Sequence, residues 1–328
     1  MNDNFELIKD YIAKHDKFVI STHQSPDADG LGSCLALREL LENIGKKAII
    51  INSDPTPDTL IFFDINKEIN VINDGFKIPD NIEEYAQFVL DTNDYDNIGI
   101  AYEMLKDRVK DLFIIDHHEG GETKFNSNFI KASASSTSEI IYGVIQFFNK
   151  PLSFKAAQAI YTGIVFDTGS FKYPKTSGET YRIAGHCVDV SVKPPLVHEY
   201  LYENNSIESF KLRREILSTM EIHHDGKLIS MKLTHEMIKE TGASFSEGEP
   251  TINLPLTVKG VVASLLVKHD GKGPVKVSMR TKGNYNVAEI AIENNGGGHK
   301  NAAGYQSKLP FEETYNTALK NMERLFVK

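Results

Sequence analysis

The residues best suited to chemistry in this chain stand where apolar runs stop. Leu112-Phe113-Ile114-Ile115 ends at Asp116-His117-His118 ahead of a Gly120-Gly121 turn, Phe18 to Thr22 ends at His23, and Ala86 to Leu90 ends at Asp91. The turn Ser25-Pro26-Asp27-Ala28-Asp29-Gly30 alternates two carboxylates, which can therefore point to one side, and Asp167 follows the apolar stretch Phe154 to Val165. Together these aspartates and His23, His117 and His118 supply the carboxylates and imidazoles that two hard-to-borderline divalent cations need. The absence of Cys from the set favours Mn²⁺ over Zn²⁺, the imidazoles argue against Ca²⁺, and Mg²⁺ or Co²⁺ stay open. Two such ions about 3.5 to 4 Å apart hold a hydroxide and clamp a phosphoryl group for in-line displacement. The expected reaction is hydrolysis at phosphorus.

A second set lies near the end of the chain. Asn295-Gly296-Gly297-Gly298-His299 offers three glycines whose N–H groups can converge on an anion without Cβ obstruction, with His299 adding a hydrogen bond or a charge. Arg280, after Val275 to Met279, is placed to pair with a phosphate through both arms of its guanidinium.

Elements must hold these residues in place. A four-residue apolar run bracketed by polar residues reads as a buried strand of a parallel sheet, whose carboxyl end is where ligands bind in α/β proteins. The pattern predicts a helix over 3–15, strands at 18–22, 48–51, 86–90, 112–116 and 129–131, and a helix over 31–44 that ends at Gly45. Further helices are expected over 97–109, 154–165 and 178–190, and one from a capping box at Ser136-Thr137-Ser138-Glu139 through Phe148. Residues 54–80 read as irregular. The alternation predicts an α/β fold, a doubly wound, mainly parallel sheet over residues 1–190. The Lys193-Pro194-Pro195 break and the charged helical stretch Glu208 to Met220 mark a linker over 191–220. Short strand-like runs at 228–233, 260–267 and 275–279 then predict a smaller α+β domain with a mixed or antiparallel sheet over 221–328.

Composition sets the outer bounds. A chain of 328 residues exceeds what one core usually serves, and 41% hydrophobic with 25% charged residues is an ordinary globular mixture. The start, Met1-Asn2-Asp3-Asn4-Phe5-Glu6, is no signal peptide and no run approaches membrane-spanning length, so a cytoplasmic protein without a membrane partner is expected. Cys34 and Cys187 are expected to be buried thiols. A net charge of −9 argues against coating long duplex nucleic acid. The charge is uneven: residues 1–190 hold 18 Lys/Arg against 29 Asp/Glu, residues 191–328 hold 18 against 16. An acidic half that collects cations and a mildly basic half that holds an anion fit this split.

In order along the chain, Thr22-His23-Gln24-Ser25-Pro26-Asp27-Ala28-Asp29-Gly30-Leu31-Gly32-Ser33, Asp91-Thr92, Asp116-His117-His118 and Tyr161-Thr162-Gly163-Ile164-Val165-Phe166-Asp167-Thr168-Gly169 resemble motifs of the DHH phosphoesterase superfamily. Gly296-Gly297-Gly298-His299 with Ala302-Ala303-Gly304 resembles its DHH-associated substrate-binding domain. The compact layout is most similar to the nanoRNase type, which degrades short RNA and dephosphorylates 3′-phosphoadenosine 5′-phosphate (pAp). The resemblance implies one Mn²⁺ on His23, Asp27 and Asp91, another on Asp29, Asp91, His117 and Asp167, with Asp91 bridging. It further implies that Asp116 orients a neighbouring ligand, that His118 meets the scissile phosphate or leaving group, and that Arg280, the glycines and His299 hold the substrate's terminal phosphate or base. Asn294-Asn295 departs from the Phe-Gly of many relatives, which bears on base stacking. The expected substrates are short oligoribonucleotides and pAp. Rival readings are hydrolysis of pApA or cyclic dinucleotides, an exonuclease on longer single strands, and an inactive nucleotide sensor; a homodimer stays open.

Overall fold

The computed structural model describes residues 5–64, 66–118 and 127–326. The chain forms two compact units, Met1–Asn204 and Asn205–Lys328, so that stretch 191–220 is divided between them.

The first unit runs α1 (Glu6–Lys14), β1 (Lys17–Ser21), α2 (Ala28–Asn43), β2 (Lys47–Asn52), β3 (Ile69–Val71), β4 (Ala86–Leu90), α3 (Ile100–Leu105), β5 (Leu112–Asp116), β6 (Asn128–Ile130), α4 (Thr137–Phe147), α5 (Phe154–Asp167), α6 (Gly178–Asp189) and α7 (Pro194–Tyr202). Its strands form one sheet in the order β3-β2-β1-β4-β5-β6, and each neighbouring pair is parallel. Strands apolar on consecutive residues must be covered on both faces. Phe18, Ile20, Phe88, Leu90, Phe113 and Ile115 pack with residues of α1, α2, α4 and α5, while Val19, Val89 and Ile114 pack with Ile98, Ala101 and Leu105. The chain leaves β1 in one direction across the sheet and returns to β4 on its other side. The crevice beyond the carboxyl ends of β1 and β4 is therefore the switch point at which such sheets hold ligands.

Helices crowd unusually close behind that crevice. A methyl group on Gly32 of α2 would lie 2.5 Å from the Ala159 carbonyl oxygen of α5, and one on Gly163 of α5 would lie 2.2 Å from Ser138 Oγ and 2.8 Å from Asp29 Oδ1. Only glycine lets α5 approach the start of α4 and the carboxylate of Asp29 this closely.

The second unit runs α8 (Ile207–Ser218), β7 (Glu221–His223), β8 (Leu228–Leu233), α9 (His235–Thr241), α10 (Phe245–Gly248), β9 (Ala263–Lys268), β10 (Val275–Thr281), α11 (Ala288–Glu293), β11 (Gly297–His299), β12 (Ala302–Ser307) and α12 (Phe311–Glu323). Its sheet has the order β11-β12-β10-β9-β8-β7, with β8 and β9 parallel and the other neighbours antiparallel. Leu265, Val277, Met279 and Tyr305 pack with residues of α11 and α12. On the opposite face Ile229, Met231, Leu233 and Leu266 pack with Leu212 and Ile216 of α8. An α/β unit with a doubly wound parallel sheet, followed by an α+β unit with a mixed sheet, is the fold.

Some expectations need correcting. Residues 54–80 contain the strand β3, paired with β2, and a 3₁₀ turn at Asp58–Phe63; a three-residue strand is too short to show a period. The helix expected over 97–109 shrinks to Ile100–Leu105, because Gly99 breaks the chain with φ 72°. The capping box of α4 is half formed. Ser136 Oγ accepts from the Glu139 N–H, but the Glu139 carboxylate accepts from Ser135 and from Thr180 of α6 instead of returning to the cap. Strand β9 begins at Ala263 rather than 260, and β10 continues through Thr281. Residues 1–4 and the Gly120-Gly121 turn lie outside the described residues. Cys34 and Cys187 are buried free thiols, and no helix among the described residues is long and apolar enough to cross a membrane.

Candidate metal centre

The loop after β1 supplies three donors. Asp27 Oδ1 accepts from the N–H groups of Asp29 (2.9 Å) and Gly30 (3.0 Å), capping α2 and fixing its own carboxylate. Asp29, in the first turn of α2, is fully buried; its Oδ2 accepts from Thr137 N–H (2.6 Å) and its Oδ1 from Ser138 N–H (2.8 Å). Those are the first amides of α4, so a helix N-terminus steadies this buried anion. Asp91 follows β4 in the left-handed region at φ 64°, held by its N–H on Ile115 O (3.0 Å) and by Thr137 Oγ1, which donates to Oδ1 (2.9 Å). Asp167 ends α5.

Both inner imidazoles are anchored in the same manner. His23 Nδ1 lies 2.9 Å from Gln24 O and His117 Nδ1 lies 3.4 Å from Ala134 O, so each ring gives its Nδ1 proton to a carbonyl and turns Nε2 to the carboxylates. His23 Nε2 is 3.6 Å from Asp91 Oδ2 and 3.7 Å from Asp27 Oδ1. His117 Nε2 is 3.0 Å from Asp167 Oδ2, 3.6 Å from Asp91 Oδ1 and 3.9 Å from Asp29 Oδ2. Buried and surrounded by carboxylate oxygens, that nitrogen has the setting of a metal ligand. Two groups of donor atoms, His23-Asp27-Asp91 and Asp29-His117-Asp167, each lie within 4.8 Å of one another, as does a third, Asp91-His117-His118. Among the described residues no lysine or arginine pairs with these carboxylates. A buried, carboxylate-rich cluster with imidazoles turned inward fits divalent cations.

His118 is set apart. Its Nδ1 donates to Asp116 Oδ1 (2.8 Å), the atom that also accepts from the His117 N–H (2.8 Å), and its side chain keeps 48% of its exposure. The hydrogen bond to Asp116 raises its pKa. Burial would raise the carboxyl of Asp116, yet His118 brings it below its usual range.

The electrostatics of the cluster show what a cation would relieve. Burial, then the neighbouring Asp91 and Asp167, push Asp29 well above the usual carboxyl range, and burial raises Asp91 with Asp27 adding to it. Burial also works against protonated imidazoles. It is outweighed at His23 by Asp27 and Asp91, which push the pKa up to about 11, and at His117 by Asp167, Asp29 and Asp91, which push it up to about 10. At pH 7 the metal-free cluster therefore keeps protons that an arriving cation must expel. Affinity for Mn²⁺ is expected to rise with pH from 6.5 towards 10. Calorimetric titrations at pH 7 in buffers of differing ionisation heat are expected to report net proton release; heats independent of buffer would show that the metal-free cluster holds no such protons.

The second candidate set lies in the second unit. Arg280 of β10 and His299 of β11 are both in register with Ala302, so the three share one face of the sheet. The glycines do not form converging amides. Gly296 N–H donates to Ala291 O (2.8 Å) at the end of α11, and Gly297 and Gly298 continue into the edge strand β11. Their small size serves close backbone approach: a methyl group on Gly296 would lie 2.2 Å from Gly304 O, and one on Gly298 2.5 Å from Ala302 O.

Reading the sequence missed what holds the carboxylates, namely Thr137, the Ser138 amide and Gly163. The tripeptide Ser136-Thr137-Ser138 marks a helix start, which is a signal for an anion site, but which anion it receives depends on the packing of α2.

Residues 17–164 match the DHH family N-terminal domain, and residues 235–328 match the DHHA1 domain. The chain therefore carries a DHH N-terminal domain followed by a DHHA1 domain and is a metal-dependent phosphoesterase. It is similar to the bifunctional oligoribonuclease and PAP phosphatase NrnA of Thermus thermophilus, with 28% identity over 302 residues that cover 92% of this chain and 87% of that protein. It is also similar to the cyclic-di-AMP phosphodiesterase GdpP of Geobacillus thermodenitrificans, with 27% identity over 319 residues, 93% of this chain but 47% of that protein. Among solved structures, an exopolyphosphatase-related protein from Bacteroides fragilis superposes with a TM-score of 0.90 at 27% identity, covering 98% of this chain and 95% of that one.

Proposed function

We propose that this protein is a Mn²⁺-dependent phosphohydrolase of the cytoplasm that trims short oligoribonucleotides to mononucleotides and removes the 3′-phosphate of pAp. The observation that carries this reading is the meeting of His23, Asp27, Asp29, Asp91, His117 and Asp167 at the switch point of one sheet. Similarity along 92% of the chain to a relative named for those two activities supports the choice of substrates.

In this reading His23, Asp27 and Asp91 hold one ion, and Asp29, Asp91, His117 and Asp167 hold the other. Bound there, the pair supplies Lewis acidity towards phosphoryl oxygens and makes water nucleophilic near neutral pH. The Asp29 and Asp91 carboxylates are kept from moving by Thr137 and Ser138. Asp116 accepts the Nδ1 proton of His118 and favours the imidazolium form, whose Nε2 proton is then available to the departing oxygen of the ester. Arg280 and His299, with the exposed edge strand at Gly297 and Gly298 beside them, take the substrate's terminal phosphate or base. Residues 1–190 then serve as the metal domain and 221–328 as the substrate domain, joined through 191–220.

The similarity to a cyclic-di-AMP phosphodiesterase supports a second reading, hydrolysis of pApA or of the cyclic dinucleotide. Initial rates with Mn²⁺ on pAp, an RNA length series, pApA and cyclic di-AMP decide between them. Highest kcat/KM on pAp and the shortest RNAs is the expected result; preference for pApA or the cyclic compound overturns it. Nucleotide binding without turnover of any of the four would make the protein a sensor.

A further inference from the structure

The loop that follows Asp167 has no part in the site so far, although it runs from one metal-facing residue to another. It leaves α5 through Gly169, Ser170 and Phe171, three successive residues in the left-handed region, at φ 56°, 61° and 65°. Left-handed backbone is unfavourable for Ser and Phe, and it persists where surroundings impose it. Thr168 does so here. Its Oγ1 donates to Ile164 O (2.6 Å) and accepts from the Phe171 N–H (2.9 Å), while its carbonyl accepts from the N–H groups of Lys172 and Tyr173 (2.9 Å each). Phe171 turns back to stack on Tyr181 of α6, with centroids 5.0 Å apart and planes 20° apart. At the loop's other end Lys175 Nζ donates to the carbonyl oxygen of His117 (3.1 Å).

Between these anchors stands Tyr173. Its ring lies on Gly169: a methyl group there would come within 2.6 Å of Cζ, 2.7 Å of Cε2 and 3.0 Å of Cε1. One face of the ring is thus backed by bare glycine backbone, two residues from Asp167, and the residue keeps 53% of its exposure. A loop tied down at both ends, the far end on the His117 carbonyl, holds this half-exposed ring over Gly169, two residues along the chain from Asp167. Packing alone does not need such an arrangement, since Phe171 already serves as the loop's apolar anchor.

We infer that Tyr173 is the base-stacking platform of the first unit, receiving the nucleobase next to the phosphate that is hydrolysed. The inference rests on the nucleotide-hydrolase reading above. A π face accepts any base, so the residue sets affinity for nucleotides over other phosphate esters without choosing among sequences.

Equilibrium binding tests this apart from turnover. In the presence of Mn²⁺, affinities for AMP and for ribose 5-phosphate are measured by calorimetry in the parent protein, Tyr173→Leu and Tyr173→Phe. Loss of one stacked base is expected to weaken AMP binding about ten-fold in Tyr173→Leu. Tyr173→Phe is expected to match the parent, and ribose 5-phosphate is expected to bind all three proteins alike. Equal weakening of both ligands in Tyr173→Leu, or no weakening of AMP, overturns the stacking role. Absence of pAp and RNA hydrolysis in the parent, with the AMP pattern intact, would instead overturn the functional reading and leave the platform in place.

Discussion

Asp29→Asn is expected to lower phosphate-ester turnover about 10³-fold, while the protein still folds. Asp29 has no exposure, and each of its oxygens accepts a backbone amide, 2.6 Å from Thr137 and 2.8 Å from Ser138. Asparagine keeps the volume that Gly163 leaves for this side chain, but it lacks the charge that a cation needs beside His117 and Asp167. It also sets an NH₂ group against one of the two amides, at about 1 to 3 kcal/mol for the donor left unpaired. A modest fall in melting temperature is therefore expected together with loss of one Mn²⁺ from the bound stoichiometry. Turnover within ten-fold of the parent would remove Asp29 from the centre.

The second large effect is expected at His118. If its Nε2 proton goes to the leaving oxygen, His118→Ala costs about 10²- to 10⁴-fold on pAp and short RNA, whose leaving groups are poor. On bis-p-nitrophenyl phosphate, whose leaving group needs no proton, the same substitution is expected to cost less than about ten-fold. Comparable losses on both substrates would make His118 a phosphate-binding group instead. The pH profile separates its partner's contribution. Asp116 raises the pKa of His118, and a proton donor fails as the pH passes upward through its pKa, so Asp116→Asn is expected to shift the alkaline limb to lower pH.

The sequence makes the ends of the central strands legible because buried parallel strands are apolar on every residue and stop abruptly at the site. Phe18 to Ile20, Phe88 to Leu90 and Phe113 to Ile115 all behave so. What it does not disclose is the third dimension of the same motifs. Gly32 and Gly163 look like ordinary small residues until α2 and α5 are packed, and only then does the depth of Asp29 appear. The run Gly296-Gly297-Gly298 shows the opposite failure. Conformational freedom suggests an open anion loop, whereas the backbone uses the missing side chains to bring β11 against β12. β3 is too short to carry a pattern, and Phe171 and Tyr173 stand in an otherwise polar loop where two aromatics give no period to read.

The anchoring of the two inner imidazoles reaches beyond the present chemistry. Because Gln24 O and Ala134 O settle which ring nitrogen faces the carboxylates, and α4 clamps Asp29, the donors are posed before any guest arrives. A rigid berth of this kind can lose one occupant to a chelator and accept another without refolding. It discriminates through ionic radius and preferred coordination number, so replacement by calcium, which wants more and longer oxygen bonds, should be resisted by the scaffold itself.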